Sequence, residues 1–69
     1  RGPRKAVYQF QIFSQNWEET VRLAVAAVEA LHGFRDEAVS SCLFMDASEN
    51  FDSSCDAYVQ ILTFEVRTN

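Results

Sequence analysis

The sequence predicts an α+β fold: a three-stranded sheet, in the chain order strand, helix, strand, strand, with one helix packed on a face of it. Three observations carry this. Residues 6–13 and 57–67 are rich in β-branched and aromatic side chains, with alternating faces. Trp17, Val21, Ala24, Val25, Val28 and Leu31 recur at helical spacing between them. Asn16 and Gly33 stand where a helix cap and a helix stop belong.

Residues 1–5 contain three of the six basic side chains, with Gly2 and Pro3, and read as an extended arm. The single domain spans residues 6–67. In its first strand, residues 6–13, Tyr8, Phe10 and Ile12 share one face, and Val7, Gln9, Gln11 and Phe13 the other. The second face is half polar, as on a sheet open to solvent or to a partner.

Asn16 and Glu19 have the spacing of a capping box, and Glu18 and Glu19 suit the positive end of the helix dipole. The helix is expected over residues 17–32, with Trp17, Val21, Val25 and Val28 against the sheet. Gly33 then ends it in a left-handed conformation, with Phe34 folding back. Between Val21 and Leu31 only Arg22 and Glu29 are charged, so this helix has too little polar surface to lie bare on one sheet. A further part of the polypeptide, or neighbouring subunits, should complete the fold.

A second strand is expected over residues 38–45 and a loop over 46–56. The closing strand follows at 57–67, with Tyr58, Leu62, Phe64 and Val66 on one face and Gln60 among them. Tyr8, Phe10, Leu62 and Phe64 should point to the helix. The last two strands form a hairpin. The helical crossover places the first two strands parallel.

Composition excludes several functions. Ten acidic residues against six basic give a net charge of −4, the reverse of a nucleic-acid or anionic-membrane footprint. No run of eighteen apolar residues is present. The two cysteines, Cys42 and Cys55, are too few for a disulfide framework and read as free thiols. His32, the only histidine, reads as a helix-end residue. Paired zinc spacings, a Gly-rich phosphate loop and a Ser-His-Asp set are all absent, so no catalytic, metal or cofactor residue is assigned.

The segment 46–56 carries Asp46, Glu49, Asp52 and Asp56 with no cation among them. It lacks the glycine and the spacing of an EF-hand loop, which leaves a solvated acidic loop or a contact surface. Phe51, a large apolar side chain among acids, either folds back or anchors a partner. Asp46, Glu49, Phe51 and Asp52 are therefore the candidate interaction residues.

The order of these motifs resembles a known family. The strand Val7-Tyr8-Gln9-Phe10-Gln11-Ile12-Phe13 leads into an Ala/Val-rich helix ending Ala30-Leu31-His32-Gly33-Phe34. A strand, Phe51-Asp52 and the closing Tyr58-Val59-Gln60-Ile61-Leu62-Thr63-Phe64-Glu65-Val66 follow. This is similar to the C-terminal half of the tail-completion, or tail-terminator, proteins of long-tailed bacteriophages and gene-transfer particles. Members begin with a further N-terminal region, so the resemblance implies that residues 6–67 are part of a larger domain and residues 1–5 the stub of a loop.

The resemblance also implies a structural virion protein with no catalytic residues. Its subunits assemble, typically in sixes, into a ring at the end of the tail tube, in contact with tail-tube and head–tail connector proteins. DNA passes through without specific binding. The location implied is the neck of the virion, after assembly in the bacterial cytoplasm. An acidic lining would let DNA slide rather than hold it. The alternative reading is a small homo-oligomeric α+β module that binds a ligand or regulates a partner. An enzyme would need a pocket converging on His32 or a cysteine.

Overall fold

The computed structural model describes residues 4–69, so residues 1–3 of the arm expected over residues 1–5 lie outside the described residues. Four elements follow one another: β1 (Arg4–Ser14), α1 (Trp17–Leu31), β2 (Val39–Asp52) and β3 (Ala57–Thr68). The strands form one antiparallel sheet in the order β1-β3-β2. The α+β architecture is the expected one. Because β1 and β2 each run antiparallel to β3, they run parallel to each other, with β3 inserted between them.

Two strand boundaries differ from expectation by more than one residue. Arg4 and Lys5 are not arm but strand, paired with Thr68 and Arg67. The larger change is β2, which continues through residues 46–52 as Asp46↔Thr63, Ala47↔Leu62, Glu49↔Gln60, Phe51↔Tyr58 and Asp52↔Ala57. The expected loop shrinks to the turn of residues 53–56, closed by Asp56 at φ 53°. A β-bulge explains the difference. The register shifts between Phe44 and Asp46, so Met45 has no partner of its own. Before the bulge Cys42 and Phe44 face the helix; after it Ala47, Glu49 and Phe51 do, an inversion of parity.

Asn16 caps α1 as its spacing predicts, its side-chain oxygen accepting from the Glu19 amide at 3.1 Å. The Glu19 carboxylate does not reach the Asn16 amide. It accepts from the Ser14 hydroxyl at 2.6 Å, and Ser14 Oγ accepts from the Asn16 amide at 3.0 Å, so strand end and helix start are tied by a relay. The helix stops at Leu31. His32 (φ −65°, ψ 122°) and Gly33 (φ 83°) occupy the two central positions of a type II turn, in which the Phe34 amide donates to the Leu31 carbonyl at 3.0 Å.

The core lies between α1 and the middle of the sheet. Ala24, Cys42, Leu62 and Phe64 are buried, and Ile12, Ala27, Val28, Leu31, Val39, Phe44 and Val66 pack around them. Phe64 is the centre: Phe10 and Phe44 meet its ring edge-on, with centroids at 5.6 and 5.7 Å. Leu62 and Phe64 point to the helix as expected, and Tyr8 and Phe10 lie on that face but stay about half exposed at the sheet edge.

The helix, however, is turned relative to expectation. Thr20 and Ala24 are its buried residues, with Ala27, Val28 and Leu31 beside them, whereas Trp17 and Val25 are exposed. Small side chains at Thr20, Ala24 and Ala27 let the helix approach the sheet closely. The bulkier Trp17, Val21 and Val25 are left on its flank toward β2.

One helix does not cover this sheet. Fifteen helical residues span about 22 Å, while the fourteen residues of β2 extend about 46 Å. The Cα radius of gyration is 13.9 Å, against about 11 Å for a compact chain of this length. The hairpin end that carries Phe51 and Tyr58 projects past the start of the helix.

Candidate interaction site

Between the flank of α1 and β2 runs an apolar cleft of about 410 Å³, walled by Trp17, Val21, Val25, Val28, Phe44 and Leu62. It exists because of the rotation just described: the helix sits down on Thr20 and Ala24 and holds its larger residues away from β2. At one end the cleft meets a polar network. Glu49 Oε2 accepts from the Trp17 indole at 2.9 Å and from the Gln60 amide at 2.8 Å. Gln60 also donates to Thr20 Oγ1 at 3.3 Å, and Thr20 Oγ1 donates to the Trp17 carbonyl at 2.6 Å.

Thr20 and Gln60 are the two buried polar side chains among the described residues, and each is satisfied by this chain of bonds. The network holds Trp17 in one orientation at the cleft mouth. Sequence reading did not identify Thr20, Gln60 or the cleft. The available signal was Gln60 itself, a polar residue on the apolar face of the clearest strand.

The four expected interaction residues do not converge. Asp46 and Asp52 lie opposite Thr63 and Ala57 on the face away from the helix, while Glu49 and Phe51 lie on the helix face. Phe51 does not fold under a loop. It packs edge-on against Tyr58, centroids 5.1 Å apart, and remains exposed. Asp52 builds the turn: it accepts from the Ser54 hydroxyl at 2.6 Å and the Ser54 amide at 3.0 Å, and these bonds hold its carboxyl below the usual range.

The remaining chemistry-bearing side chains are engaged in structure. His32 Nδ1 accepts from the Phe44 amide at 3.0 Å, so its neutral ring carries hydrogen on Nε2. Cys42 is a buried core residue and Cys55 an exposed turn residue, both free. Cys42 pairs with Val66 and Cys55 precedes Ala57, so they sit at opposite ends of β3, about 30 Å apart along the strand and beyond bridging distance. Desolvation in the turn, then the hydrogen bond and charge of Asp52, push the Cys55 thiol upward, away from the reactive thiolate. Among the described residues no three His, Cys, Asp or Glu side chains gather as metal ligands. Among the described residues no helix is long and apolar enough to cross a membrane.

The open face of the sheet is the second surface. Val7, Phe13, Leu43 and Met45 are exposed there, with Asp46, Asp52 and Glu65 among them. No family model, curated protein or solved structure matches the chain.

Proposed function

We propose that the protein is a structural subunit whose work is self-association. One observation carries this: twelve large apolar side chains stay exposed, among them Val7, Tyr8, Phe10, Phe13, Trp17 and Val25, around a core of six buried apolar residues. Scattered exposed leucines or valines are ordinary; a helix flank, a sheet edge and an open sheet face uncovered together call for a partner surface. At the polar end of the cleft, Trp17, Glu49, Gln60 and Thr20 are tied to each other or to backbone.

The form of the assembly follows from the resemblance. We read it as the ring, typically of six, that ends a phage tail tube and joins it to head connector proteins. The open face carries Lys5 and the Arg67–Glu65 ion pair toward one end and Asp46 and Asp52 toward the hairpin, and that acidic half suits a passage through which DNA slides without being held. Phe51, at the projecting hairpin end, suits contact with a neighbouring ring. The test is electron microscopy of the purified protein together with complementation of a phage lacking the gene. Rings, and heads joined to tails only when the protein is supplied, are expected. Joined, infectious particles without it would remove this function.

A second reading rests on the cleft. Its apolar walls, with Glu49 and Glu29 also on the lining, suit a small amphiphilic ligand, as in a ligand-binding module. Saturable quenching or shift of Trp17 fluorescence by such a molecule, at constant oligomeric state, would favour it over a purely structural role.

A further inference from the structure

The two outer strands of the sheet are not equivalent. The outer edge of β2 is occupied along its first half by the segment leaving the helix. The Gly33 amide donates to the Cys42 carbonyl at 2.7 Å, the Phe44 amide to His32 Nδ1 at 3.0 Å, and the Asp36 amide to the Val39 carbonyl at 2.9 Å. Two register shifts interrupt β2, and its second half carries Asp46, Glu49 and Asp52. Coverage, bulges and charge are the devices by which natural sheets protect an edge.

The edge of β1 has neither coverage nor a bulge, and its two charges, Arg4 and Lys5, stand together at one end. Its eleven residues pair with β3 without a register shift, residues 6–13 carry no charge, and Val7, Tyr8, Phe10 and Phe13 are about half exposed. Such an edge is a template for another strand.

We propose that β1 pairs antiparallel with β1 of a second copy of this chain, making a continuous six-stranded sheet with both helices on one face. Two observations select the second copy as occupant. The first is charge: Arg4 and Lys5 stand at one end of β1, and Glu18 and Glu19 stand just past the other, Glu19 bonded to Ser14. Antiparallel pairing brings the cations of each copy to the acids of the other. Parallel pairing of β1 with β1 would put like ends together.

The second observation is that the strand complements itself. Full overlap of residues 4–14 centres on Gln9, with Gln9 opposite Gln9, Tyr8 opposite Phe10 and Arg4 opposite Ser14 of the second copy. Paired positions keep the same face, so Tyr8 and Phe10 of both copies merge into one aromatic patch beneath the two helices.

This contact rests on the self-association reading and not on the phage setting. It is two-fold, so it makes pairs. A closed ring built of such pairs would present the same face on both sides, so this contact is an alternative to a ring with tail tube on one face and head connectors on the other.

The experiment uses the 69-residue chain. Sedimentation equilibrium is expected to give a dimer or an even-numbered assembly of dimers. Gln9→Cys, in a Cys55→Ser background, is expected to form a disulfide-linked dimer on mild oxidation. Gln9→Lys and Gln9→Glu each place like charges across the two-fold and should weaken the pair about five-fold. Mixing the two should restore it as a heterodimer. Gln9 is exposed, and circular dichroism checks that each variant keeps its fold. A monomeric wild-type protein would overturn both the pairing and self-association. An assembly that forms normally, yet neither cross-links at Gln9→Cys nor responds to the charge variants, would keep self-association and remove β1 as its seat.

Discussion

Replacing Phe64 by leucine tests whether one ring organises this core. Phe64 is fully buried and meets Phe10 and Phe44 edge-on. Leucine keeps the site apolar and removes both aromatic pairs, each worth about 0.5–1.5 kcal/mol. The expected loss is about 1–3 kcal/mol, before any repacking. A 69-residue domain has in all about 3–10 kcal/mol of stability. Each kcal/mol moves the melting midpoint of so small a domain by roughly 4–8 °C, so a fall of about 10 °C is expected. Truncation to alanine, at about 3–5 kcal/mol, should remove from about a third to all of that stability and lower the midpoint further than leucine does. The comparison is Phe51→Leu, which loses one edge-on pair with Tyr58 at an exposed site and should move the midpoint less than half as far. The assay is thermal and urea unfolding followed by far-ultraviolet circular dichroism, at several protein concentrations to separate unfolding from dissociation. Equal effects of Phe64→Leu and Phe51→Leu, or no effect of either, would refute the placing of the core at Phe64.

Three further outcomes follow from single sites. Gly33→Ala meets no steric obstacle but must hold φ near +83°, and it should cost about 1 kcal/mol, read as a lower urea midpoint with unchanged slope. Asp52 is held below its unfolded value by Ser54, so its contribution to stability is present above the unfolded value and lost as pH falls through the folded one; Ser54→Ala should raise the Asp52 titration midpoint seen by NMR and flatten that acid limb. Cys55 should react with iodoacetamide more slowly than a model thiol at pH 8, Asp52→Asn should speed it, and Cys42 should react only on unfolding; a mass two units light before any reduction would reveal a bridge instead.

Most of the fold was legible because local signals agreed. Asn16 and Gly33 bounded the helix, and the alternation in β1 and β3 placed Leu62 and Phe64 toward it. The second half of β2 was illegible for a physical reason. Asp46-Ala47-Ser48-Glu49-Asn50 has the composition of a loop, and the bulge at Met45 breaks the alternation that would have argued otherwise. These residues extend because β3 offers them a complete ladder, a tertiary cause that outweighs local propensity. The helix rotation was hidden similarly. Choosing the largest apolar side chains put Trp17 and Val25 inward, whereas the small Thr20, Ala24 and Ala27 are the ones set against the sheet.

The same two misread features bear on what the protein does. The bulge and the acids of β2 make it a protected edge, and the rotated helix leaves a cleft rather than a sealed layer. The rotated helix leaves Val25 exposed and Val21 half-buried beside the cleft. A chain that keeps Trp17 fixed by Glu49 at a cleft mouth, and a strand uncharged over residues 6–13 at one edge, presents surfaces already shaped before any partner arrives. Fixed side chains lose little conformational freedom on association, so more of the buried apolar area is realised as affinity. Trp17→Phe isolates this effect: it keeps most of the apolar surface, removes the indole hydrogen bond to Glu49, and should weaken assembly through the cleft flank more than it lowers the unfolding midpoint of the dissociated subunit. Concentration-dependent sedimentation beside thermal unfolding of the same variant reads both, and a variant that assembles as wild type would show that the orientation of Trp17 has no part in association.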